Sequence, residues 1–135
     1  MLNNTKTFIN LPVKNLQASI AFFTKLGFKF NPQFTDDNAT CMIISDDSYV
    51  MLLVEPFFKG FTNKEIPDTT KTSEIITALS ADSRELVDKF VTTAFEAGAT
   101  PSKEKYDMGF MYGWSFHDLD GHIWEIFWMD ENHVQ

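Results

Sequence analysis

The chain has one cysteine, Cys41, and one arginine, Arg84, in 135 residues. A lone cysteine excludes an internal disulfide, and a cytoplasmic location is expected for a chain with no disulfide framework. Eleven Lys and Arg stand against nineteen Asp and Glu, a net charge of −8. So few cations assemble no basic patch, which argues against nucleic acid and anionic membranes as partners and disfavours a strongly anionic ligand. No apolar run approaches the ~20 residues that span a bilayer, and the first residues lack the basic-then-apolar order of a secretion signal. Neither a Ser-His-Asp set nor a glycine-rich phosphate loop is present, and no histidine pair has metal-binding helical spacing.

What is present is apolar surface. Hydrophobic residues make up 44% of the chain and aromatics 15%, with fourteen Phe against three Tyr and three Trp. A folded globular protein is expected, with a bias towards rings that carry no polar atom. Such rings suit a core or an apolar pocket.

Taken in order, Thr5 to Val13 reads as a strand, with Pro12 at a strand end or an edge. Asn15 reads as the N-cap of a helix over 16–26, whose Leu16, Ile20, Phe23 and Leu26 recur at helical spacing, and Gly27 ends it. A strand starts at Phe28, and strands over 39–45 and 49–55 flank the turn Asp46-Asp47-Ser48. Residues 56–72 read as a long loop packed down by Phe57, Phe58 and Phe61. A strand over Glu74 to Ala81 follows, then Asp82 as N-cap with Glu85 three positions on, a capping box. A helix over 83–97 carries the pairs Leu86/Val87, Phe90/Val91 and Ala94/Phe95 and ends at Gly98. The pattern then predicts a strand over 99–106, a Gly- and Met-rich loop over 107–113, and strands over 114–117 and 122–129.

Strand–helix–strand–strand–strand thus occurs twice. Leu11-Pro12-Val13 aligns with Leu79-Ser80-Ala81, Leu26-Gly27-Phe28 with Ala97-Gly98-Ala99, and Asp46-Asp47-Ser48 with Asp120-Gly121-His122. Self-similarity at this period signals a duplicated unit. The predicted fold is α+β: two βαβββ modules forming a curved mixed sheet in one domain over 1–135. Module one is expected at about 5–58, a linker at 59–72 and module two at about 73–130.

The last strand carries the functional argument. Asp118-Leu119-Asp120-Gly121-His122 forms a turn in which Gly supplies φ > 0 and Asp side chains bond the turn backbone. Alternation then puts Ile123, Glu125 and Phe127 on one face and His122, Trp124, Ile126 and Trp128 on the other. A carboxylate among apolar neighbours is costly unless paired, protonated or metal-bound.

A doubled βαβββ layout ending in this turn and Glu125 resembles the vicinal oxygen chelate superfamily, which includes glyoxalase I, extradiol dioxygenases, fosfomycin resistance thiol transferases and bleomycin-binding proteins. The matching residues are Asn10-Leu11-Pro12-Val13, Ser19, Phe22-Phe23, Leu26-Gly27-Phe28, Phe116, Asp118 to His122, and Glu125. The resemblance implies a site in the concave face of the sheets, frequent homodimers and, in metal-dependent members, one ligand on the first and last strand of each module. Those positions fall on Phe8, Met51, Ile76 and Glu125. Phe, Met and Ile do not hold zinc, nickel, iron or manganese, which want imidazole or carboxylate. A register slip that keeps the strand faces would bring Asn10 and Glu55 there instead. No cofactor is therefore expected.

Two functions stay open. One is a binding protein, of the glyoxalase/bleomycin-resistance kind, for a small, largely apolar or aromatic molecule. The other is a metal-dependent lyase or dioxygenase, lactoylglutathione lyase-like or extradiol-like, that uses Glu125. Glu125 is the candidate catalytic group, as general base, hydrogen-bond acceptor or residual ligand, or else a structural carboxylate bonded to a neighbouring strand, a Tyr or a water. Phe8, Asn10, Met51, Leu53, Ile76 and Phe127 are candidates for lining a ligand cavity. Met108, Met111, Tyr112 and Trp114 read either as a loop closing over a ligand or as packing. His122 and His117 read as turn structure, His133 as a solvated tail residue and Cys41 as a small apolar core residue.

Overall fold

The computed structural model describes residues 1–132, so His133 lies outside the described residues. The chain divides into two compact units, Met1–Pro67 and the part from Asp68 onward.

The first unit runs β1 (Thr7–Val13), α1 (Leu16–Lys25), β2 (Lys29–Phe30), β3 (Ala39–Ile43) and β4 (Ser48–Val54). Its sheet has the order β1-β4-β3-β2, with β1 parallel to β4 and the other pairs antiparallel. Parallel neighbours need a crossover, and α1 supplies it. Asn15 starts α1 by accepting from the Ala18 amide at 3.0 Å, and Gly27 leaves it at φ +100°. Leu11, Val13, Leu16, Phe22, Phe23, Met42, Val50 and Leu52 are buried as its core. Pro12 sits in β1, an edge strand, where a missing ladder donor is tolerated.

The predicted loop over 56–72 begins differently. Residues Glu55–Phe58 form a short helix, α2, and Lys59–Phe61 a 3₁₀ turn. Pro56 in the first turn, where its missing N–H is harmless, favours that start. Phe57 and Phe61 do not pack the segment down. They are exposed and meet edge to face, ring centroids 5.2 Å apart.

The second unit runs β5 (Ile76–Ser80), α3 (Arg84–Glu96), β6 (Thr100–Pro101), β7 (Tyr106–Asp107), β8 (Met111–His117) and β9 (Ile123–Met129). The sheet order is β5-β9-β8-β6, with β7 also paired to β8. Again the first strand lies parallel to the last. Val87, Val91 and Ala94 of α3 are fully buried, beside Phe116, Trp124 and Ile126 of the sheet.

Three expectations need correction here. The cap of α3 is Ser83, whose hydroxyl accepts from the Leu86 amide at 3.1 Å; its φ of −157° is extended, as an N-cap requires. The strand over 99–106 is two short strands with a gap between them. The loop over 107–113 is shorter, because Met111, Tyr112 and Gly113 join β8, where they pair with Met129, Trp128 and Phe127.

The repeat is visible in the strand registers. In unit one Asn10 pairs with Met51 and Phe8 with Tyr49. In unit two Ala78 pairs with Glu125 and Ile76 with Ile123. With Phe8 aligned on Ile76, these pairings bring Met51 to the place of Glu125. Glu55 lies beyond β4, at the start of α2, and not on a strand face.

The turn before β9 is held by a buried carboxylate. Asp118, 5% exposed, accepts from the amides of Asp120 (2.9 Å) and His122 (3.0 Å) and from Trp124 Nε1 (2.9 Å). Gly121 takes φ +86°, and Thr69 lies so close that a Cβ there would come within 2.9 Å of its carbonyl oxygen. The Thr69 hydroxyl donates to the Asp120 carbonyl.

Candidate functional site

Glu125 sits at mid-sheet in the second unit, opposite Ser115 on β8 and beside Ala78 on β5. Alternation works as expected: Trp124 and Ile126 point into the core, and Glu125 points to the other face, neither buried nor fully exposed. The gap between β6 and β7 falls at the same level. Residues 102–105 make no ladder pair with β8, and the Lys103 amide donates to the Ser115 hydroxyl at 3.1 Å instead. The interrupted edge leaves a hollow of about 270 Å³, walled by Ile76, Ile123 and Tyr106, with Ser115 and Glu125 as polar groups and Ser102 to Glu104 at the broken edge.

Tyr106 completes this hollow. It pairs with Gly113, and its ring lies directly over that glycine: a Cβ there would come within 2.4 Å of the ring carbon that bears the hydroxyl. Only a residue without a side chain lets the ring lie flat on the strand. The phenol pKa is raised, first by burial and then by the charge of Glu125 and a hydrogen bond to it. Tyr106 and Glu125 thus line the same hollow. The sequence reading missed it by treating Gly113 as loop. A lone glycine inside a strand, with an aromatic nearby, is the signal that could have found the contact.

The remaining candidates fall into separate places. Phe8, Asn10 and Met51 share one face of the first unit's sheet; Phe8 is 49% exposed and stacks on Tyr49 at 4.9 Å, while Leu53 is buried. In the second unit Ile76 is 61% exposed at the rim of the hollow, and Phe127 borders a different hollow, near Asp82 and Asp130. Tyr112 and Trp114 do not form a closing loop. Tyr112 is buried and donates to Asp88 of α3 at 2.6 Å, and Trp114 packs edge to face on Phe95 of α3 at 5.4 Å, though it also adjoins the Glu125 hollow. Met108 is exposed in the short turn that remains. His122 is buried in the turn; His117 ends β8 opposite Ile123. Cys41 is buried in β3, where burial raises its thiol pKa.

A second device that the sequence did not show fixes the turn after β7. Arg84 Nη1 donates to Asp107 at 2.6 Å and Nη2 to the Gly109 carbonyl at 2.8 Å, while the guanidinium lies 5.2 Å from the Tyr112 ring centre and 5.0 Å from that of Trp128. The only arginine is thereby used for structure.

The donor set does not fit a divalent metal. At the four positions where the resemblance implies ligands stand Phe8, Met51, Ile76 and Glu125, and of these only Glu125 offers an oxygen. Among the described residues no three His, Cys, Asp or Glu side chains converge as a metal site would need.

Comparison with known proteins agrees with this fold. A family profile described as bleomycin resistance protein-like N-terminal matches residues 5–45. The hypothetical protein SA1046 from S. aureus is 29% identical, with a TM-score of 0.78 over 94% of this chain and 95% of that one. A glyoxalase/dioxygenase from Nostoc punctiforme is 25% identical, with a TM-score of 0.66 over 92% and 90%. A glyoxalase/bleomycin resistance protein/dioxygenase family enzyme from Burkholderia phytofirmans PsJN shares 19% identity and a TM-score of 0.78 over 90% and 96%. No match was found among curated proteins. With its doubled βαβββ topology and these similar structures, the chain has the glyoxalase-like fold and resembles the vicinal oxygen chelate superfamily.

Proposed function

We propose that the chain is a glyoxalase/bleomycin-resistance-like binding protein that holds a small, largely apolar or aromatic molecule next to Glu125 and works without the superfamily's metal. What supports this reading is the apolar identity of Phe8, Met51 and Ile76, three of the four positions where the resemblance implies oxygen or nitrogen donors. Elemental analysis with native mass spectrometry of the purified protein tests it. The expected result is no stoichiometric zinc, nickel, iron or manganese. A stoichiometric metal that Glu125→Gln removes would overturn the reading. A cytoplasmic homodimer is part of the same proposal, and a monomeric mass by light scattering at micromolar concentration would remove the dimer.

One observation favours a second reading, an enzyme of the glyoxalase or dioxygenase type. The Glu125 carboxylate and the neutral Tyr106 phenol face each other in one hollow, as a base and a proton donor would. Turnover of a hemithioacetal or a catechol that Glu125→Gln abolishes would support it. Unchanged turnover would exclude Glu125 as base.

A further inference from the structure

Two of the unit's carboxylates sit beside cations. Asp107 is paired with Arg84 at 2.6 Å and Asp88 with Lys105 at 3.3 Å. Glu125 is different. It is partly buried against Ile76, Ile123 and Tyr106, yet no Lys, Arg or His comes within ion-pair distance among the described residues. Lys103 borders the hollow but forms no ion pair with it. Among the described residues the Tyr106 hydroxyl shares the hollow with Glu125 as an uncharged group. An ionised carboxylate has about four acceptor sites, so one phenol leaves capacity unused. A partly desolvated carboxylate with no cation beside it attracts one.

Size and charge narrow what that cation is. At about 270 Å³ the hollow lies at the small end of ligand sites and admits one or two fused rings, not a peptide. Its walls are apolar, which a bare metal ion would not exploit. The Tyr106 ring adds attraction for a positive group at the wall. An overall charge of −8 raises the local concentration of cations and repels anions.

We propose that this hollow selects a protonated amine: a small, flat, apolar ligand whose ammonium group docks on Glu125 beside the Tyr106 ring. The inference rests on the metal-independent binding reading and adds to it the charge of the ligand. Tyr106 then acts as a positioning residue, orienting the carboxylate so that its free lone pairs face the hollow.

Three probes of one shape test it on the full chain: naphthylmethylamine, naphthalenemethanol and naphthoate, titrated while backbone amide shifts are followed by NMR. The amine is expected to bind at least about tenfold more tightly than the alcohol, a ratio within reach of one partly buried charge pair, with naphthoate weakest and shifts centred on Ile76, Ser115 and Ile123. Glu125→Gln is expected to bring the amine down to the alcohol's affinity while the alcohol is unaffected. Lys103→Ala, which removes an exposed cation at the hollow's edge and keeps the backbone amide bonded to Ser115, is expected to tighten the amine further. Equal binding of amine and alcohol at the hollow would overturn charge selection and leave the apolar-ligand reading standing. If no probe shifts these residues, both fall.

Discussion

At the scale of single residues, two ionisable groups have roles set by burial. Asp118 is nearly sealed off, and burial pushes its carboxyl up, while the charge of His122 and the donors from Trp124, Asp120 and His122 oppose that shift. Replacing Asp118 by Ala leaves those donors with nothing to meet inside the fold. The expected loss is about 2–4 kcal/mol, read as a lower urea midpoint with an unchanged slope. Tyr106 gives a pH signature. Its folded pKa lies above the unfolded one, so between the two values the folded chain binds more protons and stability falls as pH rises. The effect begins above about pH 10, the ordinary phenol value. Tyr106→Phe is expected to flatten that alkaline loss of stability; an unchanged slope in the variant would contradict the environment described for this phenol. Asp107 behaves in the opposite sense. Hydrogen bonds from Arg84 and the Gly109 amide hold it below the usual carboxylate range, so its contribution is present above the unfolded pKa and fades as pH falls through the folded one.

At the scale of elements, much was legible because the signals are local. Asn15, Gly27, the amphipathic pairs of α3, Gly98 and the Asp118–Gly121 turn all lie where the sequence places them. The cap of α3 was one residue out because Asp82 and Ser83 are both good caps and only the approach of the chain decides between them. Ser83→Ala is therefore expected to cost about 1 kcal/mol and Asp82→Ala less than half as much, compared by thermal melting. The boundary between loop and β8 was misplaced for a different reason. Met111 to Gly113 become strand by pairing with β9, a partner distant in sequence, and a Met–Tyr–Gly run has weak strand preference of its own. Gly113→Ala tests the packing that results. The new methyl group has no space beneath the Tyr106 ring, so a loss of about 1–3 kcal/mol is expected, together with a displaced Tyr106 resonance in NMR spectra.

At the scale of the whole chain, the acidic balance has a kinetic consequence. If a cationic ligand enters the hollow, its association is steered by a field that salt screens over ~8 Å at physiological ionic strength. Stopped-flow association of naphthylmethylamine is expected to slow as salt is added, while that of naphthalenemethanol stays level. The doubling itself could be read without coordinates, because element order and punctuation repeat. The alignment of Phe8 with Ile76 and that of Met51 with Glu125 are consistent with each other in the strand registers.

The chain alone determined the α+β class, the duplicated βαβββ order, the alternation that separates Glu125 from Trp124 and Ile126, and the apolar identity of three of the four positions where the resemblance implies ligands. These are local or periodic properties, written in spacing and side-chain chemistry. Tertiary structure decided the rest: that β6 and β7 part at the level of Glu125, that Tyr106 lies over Gly113 to meet the carboxylate, and that Tyr112 and Trp114 belong to the helix side. Each depends on which strand pairs with which, and in what register, and that is set by long-range ladder bonds and packing that no short window of sequence contains.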